Sequence, residues 1–483
     1  MSELLAKRLG SSAAVRLARE ALASERDVWI VGGAVRDALL DRAVTDLDVA
    51  VGGDQRAIAS RIARVAGGPA FELSAEFGTW RAMPAERAWH VDVTRMRGEG
   101  IESDLAGRDF TVNAIAIPLA ELAAAPIDPY GGALDLEHRA LRAVSERAFT
   151  EDPLRALRAA RLASELEFEL DPATARLASE AAPGLAEVAG ERQFGELRSL
   201  IAGPDPLRGL ALLDELGGTR FALPELEALR GVRQNPNHHL DVHGHTLEVL
   251  AQLVEVERDL ARYTGAMAPG VERLLAEPLA DELTRGGALR FGAVLHDIGK
   301  PTTRRQHDGG LVSFVGHDRK GAALVRSACA RLKTSRALAR HLEALTLHHL
   351  HLGFMTHERP LSRRQLYEYL RTCDPVAADV TLLTVADRLA ARGTGPTAST
   401  EMVEAHLELA REVLPAALEW HANGPPRTPI AGDELARAVG IEPGPELGRL
   451  LAEVEAGVFT GEVRSRDDAI RVAKGTLNSL RDR

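Results

Sequence analysis

Residues 28–53 read VWIVGGAVRDALLDRAVTDLDVAVGG, and this stretch decides the front of the molecule. Val28 to Val31 is an apolar run of strand length, and Gly32-Gly33 breaks it. Ala34 to Leu40 then reads as a helix start, and Leu47 to Val51 as a second strand. Asp46 and Asp48 stand at i and i+2 where that strand begins, so period-2 geometry puts both carboxylates on one face. Phosphoryl transfer uses such a pair to hold divalent metal, here expected to be Mg2+, against a triphosphate and an attacking hydroxyl. Backbone N–H groups of Gly32 and Gly33 at a helix start can cradle phosphate, and Arg36 one turn on can add a charge-assisted contact. An isolated D-x-D would read as a solvated strand face. The nearby GG helix start makes it a candidate site.

Working outward, an amphipathic, mixed-charge helix precedes this stretch, and a helix from Gln55 to Ala66 follows it. Further strands are expected around Phe71, at Thr79 to Met83, His90 to Thr94 and Thr111 to Ile117. From Pro153 onward the pattern turns to helices rich in Ala, Leu, Arg and Glu. The one strand signal left there is a hairpin near Thr303 to Phe314. The expectation is an α+β multidomain chain: a head (1–140), a helical neck (141–232), a helical His-rich body (233–395) and a helical tail (396–483). The 483 residues exceed one ordinary core. The net charge of −11 excludes a chain-wide basic field, so any RNA site must be a local groove on an acidic body. Cys329 and Cys373 can build neither a disulfide framework nor a C-x-x-C site. No signal peptide or membrane-spanning run is legible, so a soluble, cytoplasmic protein without a membrane partner is expected.

The ordered blocks carry a resemblance. GGAVRDALL followed by TDLDVAV resembles the signature of the polymerase beta-like nucleotidyltransferases, in the version shared by CCA-adding enzymes and bacterial poly(A) polymerases. DLAGRDFTVNAIAI (104–117), DPYGGALDLEHRALR (128–142), EDPLRALRAARLASELEF (151–168), ERQFGELRSLI (191–201) and IAGDELARAVGIEPGPELGRLLAEV (430–454) resemble that family's later blocks in order. The resemblance implies tRNA nucleotidyl transfer from CTP and ATP. It implies that Arg108 contacts the nucleotide with Asp109 and Asn113 in support. Asp92, on HVDVTR, is a candidate further carboxylate or a structural one.

Asp152, Arg155, Arg158 and Arg161 advance by threes along one predicted helix and so share a face. By resemblance Asp152 and Arg155 read the base, a carboxylate accepting from the exocyclic amine of C or A and a guanidinium donating to the ring acceptors. Arg158 and Arg161 would help hold nucleotide or primer.

DVHGHTLEVL (241–250), AVLHDIGKP (293–301), FVGHDRKGA (314–322) and TVADRLAAR (384–392) form a second ordered series, which resembles the HD phosphohydrolases. By that resemblance His245, His296, Asp297 and Asp387 are the metal ligands. Mixed imidazole and carboxylate suits Mg, Mn, Ni or another divalent ion. His317 is a further candidate, as is one of His348 and His349. Lys300 is a candidate phosphate contact.

Two departures from the family pattern stand out. Gly107 replaces the first Arg of its R-R-D-F segment, and Arg97 to Glu99 runs almost directly into Asp104-Leu105. Relatives keep a flexible stretch there that is linked to the switch from C to A. Relatives without it add CC and leave the final A to a separate A-adding enzyme. Two other readings stay open: a poly(A) polymerase, or an HD phosphohydrolase whose head is an RNA-binding scaffold.

Overall fold

A computed structural model describes residues 2–74, 78–86 and 88–481. Two compact units divide the chain, Met1–Ala222 and Leu223–Arg483. The first is built around a six-stranded sheet of β1 (Val28–Val31), β2 (Asp46–Val51), β3 (Ala70–Ser74), β4 (Thr79–Ala82), β5 (His90–Arg95) and β6 (Ala116–Pro118). Its order is β3-β4-β5-β2-β1-β6. Only β2 and β5 run parallel, and their register sets Asp46 opposite His90 and Asp48 opposite Asp92. In β2 Leu47 is buried while Asp46 and Asp48 are exposed, as the two-residue period requires. Helix Gln55–Ala66 starts at Asp54, whose side chain accepts from the Arg56 and Ala57 amides, and stops at Gly67 with φ 68°. Its buried face is Ile58, Ala59, Ile62 and Ala63.

The structure corrects four expectations. The opening helix is two, Ser2–Ser11 and Ala13–Ala21, because the Ser12 hydroxyl donates to the Val44 carbonyl. Thr111 to Ile117 is not one strand: Thr111–Asn113 is a 3-10 turn and pairing begins at Ala116. There Asp109 accepts from the Phe110 amide and the Asn113 side chain, a local alternative to the ladder. Asp152 is not in the arginine helix. That helix is Leu154–Leu166, and Asp152 is extended (φ −147°, ψ 98°) because a residue before proline is pushed out of the helical region. Finally, the later chain holds more strand than expected. The hairpin Arg305–Gln306 with Val312–Ser313 is present. So are Pro278–Ala280 with Leu283–Thr284, and Glu169–Leu170 paired to Ala140–Leu141. Strands of two or three residues carry no readable alternation.

The rest of the first unit is helical, with Leu154–Leu166 packed on Gly190–Ile201 and Pro206–Glu215. The second unit is mainly helical. Val242–Arg258, Arg285–Leu295 and Ala377–Ala390 pack together, and His317–Arg331 lies on Arg336–His348. The helices Gly432–Val439, Pro445–Thr460 and Arg466–Arg481 enclose a separate apolar cluster that includes Leu435, Leu450 and Val454. Among the described residues no helix is long and apolar enough to cross a membrane.

Candidate active sites

In the first unit the β2–β5 register gathers the carboxylates. Asp48 faces a cleft of 450 Å³ that Asp92, Arg108, Asp109, Asp152 and Arg155 also line. Burial in the surrounding protein and the neighbouring Asp92 charge push the Asp48 carboxyl up to about 6, although it opens to the cleft. Asp46 is more open and sits 2.8 Å from His90 Nδ1. Both oxygens of Asp92 accept from Arg81, each at 2.8 Å, so its charge is already matched. Gly32 is required where it stands. Its φ is 70°, and a Cβ there would lie 2.9 Å from Asp48 Oδ2 and 3.1 Å from Arg108 Nη1. Gly33 begins the helix Gly33–Leu39, and Gly32, Gly33 and Arg36 line an adjoining recess of 290 Å³ with Asp48. Two oxygen ligands on one strand face suit a hard divalent cation.

The arginines of this cleft are mostly engaged. Arg36 donates to Asp37 and, at 2.9 Å, to Asn113. Arg108 donates to Asp104. Arg155 donates to the backbone carbonyls of Gly107, Arg108 and Ala148, and its buried Nε makes no hydrogen bond among the described residues. Arg158 donates to Asp109 and Glu196, while Arg161 donates to Glu196 and Glu165. Burial disfavours the Glu196 carboxylate, but Arg158 and Arg161 outweigh it and hold its pKa below the usual range. Asp152 accepts from Arg192 at 2.8 Å. Arg192, Glu196, Arg97 and Asp104 were not picked out from sequence as site residues. Arg192 and Glu196 lie in the quoted ERQFGELRSLI block, but only folding shows that they face Asp152 and the arginines.

In the second unit the HD residues meet around Asp297. His245 comes from Val242–Arg258, His296 and Asp297 follow the end of Arg285–Leu295, and Asp387 lies on Ala377–Ala390. His245 Nε2 is 2.9 Å from Asp387 Oδ1 and 4.0 Å from Asp297 Oδ2. His296 Nε2 is 3.2 Å from Asp297 Oδ2. Of the two adjacent candidates, His349 reaches this carboxylate, at 3.8 Å from Oδ1, while His348 stacks against His351. His317 joins at 3.4 Å. Lys300 Nζ lies 2.6 Å from Asp297 Oδ2 and donates to Gln234. Burial alone would raise the Asp297 carboxyl, but His296 and Lys300 hold it well below the carboxylate range.

Residues 297, 317 and 349 also line a cavity of 570 Å³ with Lys300 and Phe314. Nδ1 of His296, His317 and His349 each lies 2.7–2.8 Å from the backbone carbonyl three residues earlier, so Nδ1 carries a proton and Nε2 is the atom turned inward. Asp297 Oδ1 and Oδ2 and His296 Nε2 are buried without a hydrogen bond of ordinary geometry among the described residues. Nitrogen and oxygen donors arranged so fit a divalent cation. His238, one histidine of the His-rich body, joins the pocket only in the folded chain. Its ring stacks edge-on to His245, and burial with the Lys300 charge brings it down to about 3.

Comparison with known proteins matches residues 28–142 to the poly A polymerase head domain. Residues 167–229 match a probable RNA and SrmB-binding site of polymerase A, and 242–392 match the HD domain. Both the head and the HD domain belong to divalent-metal-dependent types. An A-adding tRNA nucleotidyltransferase of Deinococcus radiodurans is 36% identical over 91% of this chain and 93% of its own length. A CC-adding tRNA nucleotidyltransferase of Thermus thermophilus is 31% identical, covering 92% of each. The fold is also similar to that of the Thermotoga maritima CCA-adding enzyme in its complex with tRNA, with a TM-score of 0.56 and 20% identity over 99% of this chain and 98% of that one. The likeness runs over nearly the whole length of these chains, and this chain, with its poly(A) polymerase-type head and its HD domain, belongs to the family of tRNA nucleotidyltransferases.

Proposed function

We propose that this chain adds cytidylate from CTP to the tRNA 3′ end and stops after the second C. The observation that carries the stop is the connection from β5 to the Arg108 segment. Only Met96 to Gly100 separate β5 from the helix Ile101–Ala106. That connection is tied at both ends: the Arg97 amide donates to Asp104 Oδ1, and the Arg97 side chain donates to the Gly107 carbonyl. Gly107 in turn accepts from Arg155. A purine and a pyrimidine place amine and acceptor differently, so reading both requires Asp152 and Arg155 to move. The short tie holds Arg155 in one arrangement.

On this reading residues 1–140 are the transferase head, 141–232 the base-selecting neck, 233–395 the HD body and 396–483 the tail. Asp46 and Asp48, with Asp92 beside them, hold Mg2+, which supplies charge neutralisation at the triphosphate. Gly32, Gly33, Arg36, Arg108, Asp109 and Asn113 cradle the nucleotide, and Arg158 and Arg161 steady that wall through Asp109 and Glu196. Asp152 and Arg155 exchange Arg192 and the backbone carbonyls for the edge of cytosine. The tRNA 3′-hydroxyl bonds to the α-phosphorus as the bond to pyrophosphate breaks. ATP use is then left to a separate A-adding enzyme, and both work in the cytoplasm. His245, His296, Asp297 and Asp387 hold a divalent ion (Mg, Mn, Ni or other) for phosphoester hydrolysis, with Lys300 as a phosphate contact.

Three tRNAs, ending before CCA, after C and after CC, each offered CTP or ATP, test this. Expected are two C additions to the first, one to the second and none to the third. Efficient A addition to the CC-ended tRNA would replace this reading by the second one, terminal A addition, which is favoured by the 36% identical relative named A-adding.

A further inference from the structure

The His-rich body holds a second cluster of donors that the Asp297 pocket does not use. His348 ends the helix Arg336–His348, and His351 begins the helix His351–Met355. His349 and Leu350 between them keep right-handed helical backbone, so the two histidines, three apart, share a side. Their rings lie 5.2 Å apart between centroids, tilted by 63°. Cys373 follows the helix Arg363–Thr372 and is fully buried. Its sulfur and a nitrogen of each ring all lie within 4.8 Å of one another. Nδ1 of His348 and Nδ1 of His351 are both shut off from solvent, with no hydrogen-bond partner among the described residues. That sets them apart from His296, His317 and His349, whose Nδ1 atoms each meet a backbone carbonyl at 2.7–2.8 Å. A buried ring nitrogen without a partner is costly, and here two occur within one turn, beside a thiol. A cation held by the three side chains would satisfy both.

We infer that the body binds a transition-metal ion at His348, His351 and Cys373, apart from the Asp297 pocket. Two imidazoles and a thiolate form a donor set that selects Zn, Co, Ni or Cu over Mg, Ca or Mn. A tetrahedral ion with nitrogen donors at about 2.1 Å and sulfur at about 2.3 Å holds them roughly 3.3–3.6 Å from one another, so small side-chain rotations close the set. As the metal–sulfur bond forms, the Cys373 thiol gives its proton to solvent. Three protein donors leave the fourth position of the ion to water. The ion clips the turn after Arg336–His348 to the end of Arg363–Thr372. His349, which reaches Asp297, lies inside the clipped turn. The role is structural and takes no part in nucleotidyl transfer.

The test adds Co2+ to the full chain under reducing conditions and records the near-ultraviolet absorption, where sulfur-to-cobalt charge transfer appears. The Asp297 pocket is lined by nitrogen and oxygen donors, so cobalt bound there is silent in this band. A band that saturates at one thiolate-bound Co2+ per chain, and that Zn2+ bleaches, is expected. Cys373→Ser should abolish it. His348→Ala and His351→Ala should each raise the Co2+ concentration for half-saturation by about tenfold or more. Cys329→Ser should leave the band as it is. No band in the parent at saturating Co2+ overturns the inference, and so does a band that survives Cys373→Ser. The first of these is read on the unaltered chain, so a variant that fails to fold cannot decide it.

Discussion

On the proposed reading, the head cleft and the HD pocket hold charge against phosphate by opposite means. In the head the carboxylates lie on a strand and open to solvent, and the neighbouring arginines are matched beforehand: Arg81 by Asp92, Arg108 by Asp104, Arg158 and Arg161 by Glu196. In the pocket one carboxylate is buried among imidazoles that three helix ends and turns aim at it, and the lysine beside it is its nearest partner. On that reading a cleft that admits a nucleotide and a tRNA end exchanges partners as they arrive, and its arginines are held by carboxylates and carbonyls they can leave. A pocket that kept an ion would need donors that cannot turn away, which the Nδ1 anchors would supply.

The largest effect that would sharpen this contrast is at Asp48. Asp48→Asn removes a charge whose work with metal is worth several kcal/mol, so CMP incorporation should fall on the order of 10³-fold. Thermal unfolding should be little changed, because Asp48 makes no ion pair among the described residues. Incorporation above a tenth of the parent rate, measured in single turnover, would remove the carboxylate from the chemistry. Next comes His296→Ala, which should weaken Mn2+ binding to the body by about 100-fold or more while leaving CMP incorporation within about twofold. If transfer and metal binding are lost together, the two sites are not independent and the comparison breaks.

Glu196→Ala should show that the head's arginines are structural in waiting. It takes one of two carboxylates from each of two guanidiniums, Arg158 keeping Asp109 and Arg161 keeping Glu165, and should lower unfolding free energy by about 2 kcal/mol, below the range for a fully broken buried pair. Urea denaturation reads this. Loss under about 1 kcal/mol would mean the ladder is a solvated face. The smallest expected change is in selectivity. Asp152→Ala should relax discrimination between CTP and UTP by roughly 1–3 kcal/mol with little change in triphosphate affinity. Unchanged discrimination in competition assays would take base reading away from this residue.

Some of this was legible before folding because it is local. The i, i+2 spacing of Asp46 and Asp48, the GG break and the strand on either side follow from period-2 geometry and glycine's freedom alone. The helical run after Pro153 follows from composition. Asp152 was misplaced on the arginine helix because the by-threes spacing was read through Pro153, and proline's effect on the preceding residue is local too. The 3-10 turn at Thr111 was missed because the side chains that make it, Asp109 and Asn113, also fit a strand end.

The short hairpin at Pro278–Thr284 was missed for a different reason: its turn, Asp281-Glu282 with φ 52° and 59°, carries no glycine or asparagine to announce it. The choice between His348 and His349 could not be read because adjacent helical residues differ by one step of about 100° around the axis, and only the packing of Arg336–His348 fixes which one turns inward.

Residue order alone therefore supplies the inventory and the short-range geometry: which carboxylates share a strand face, where phosphate can meet backbone N–H, and which ordered blocks make the chain a tRNA nucleotidyltransferase. Pairing over long separations belongs to the folded chain. Examples are Asp48 beside Asp92, Glu196 under Arg158 and Arg161, Arg192 on Asp152, and His317 facing His349 across Asp297. Those residues are dozens of positions apart, and no propensity or period links them. They meet because strand register and helix packing leave one arrangement in which the apolar faces are buried, and the charges are carried to wherever that arrangement puts them.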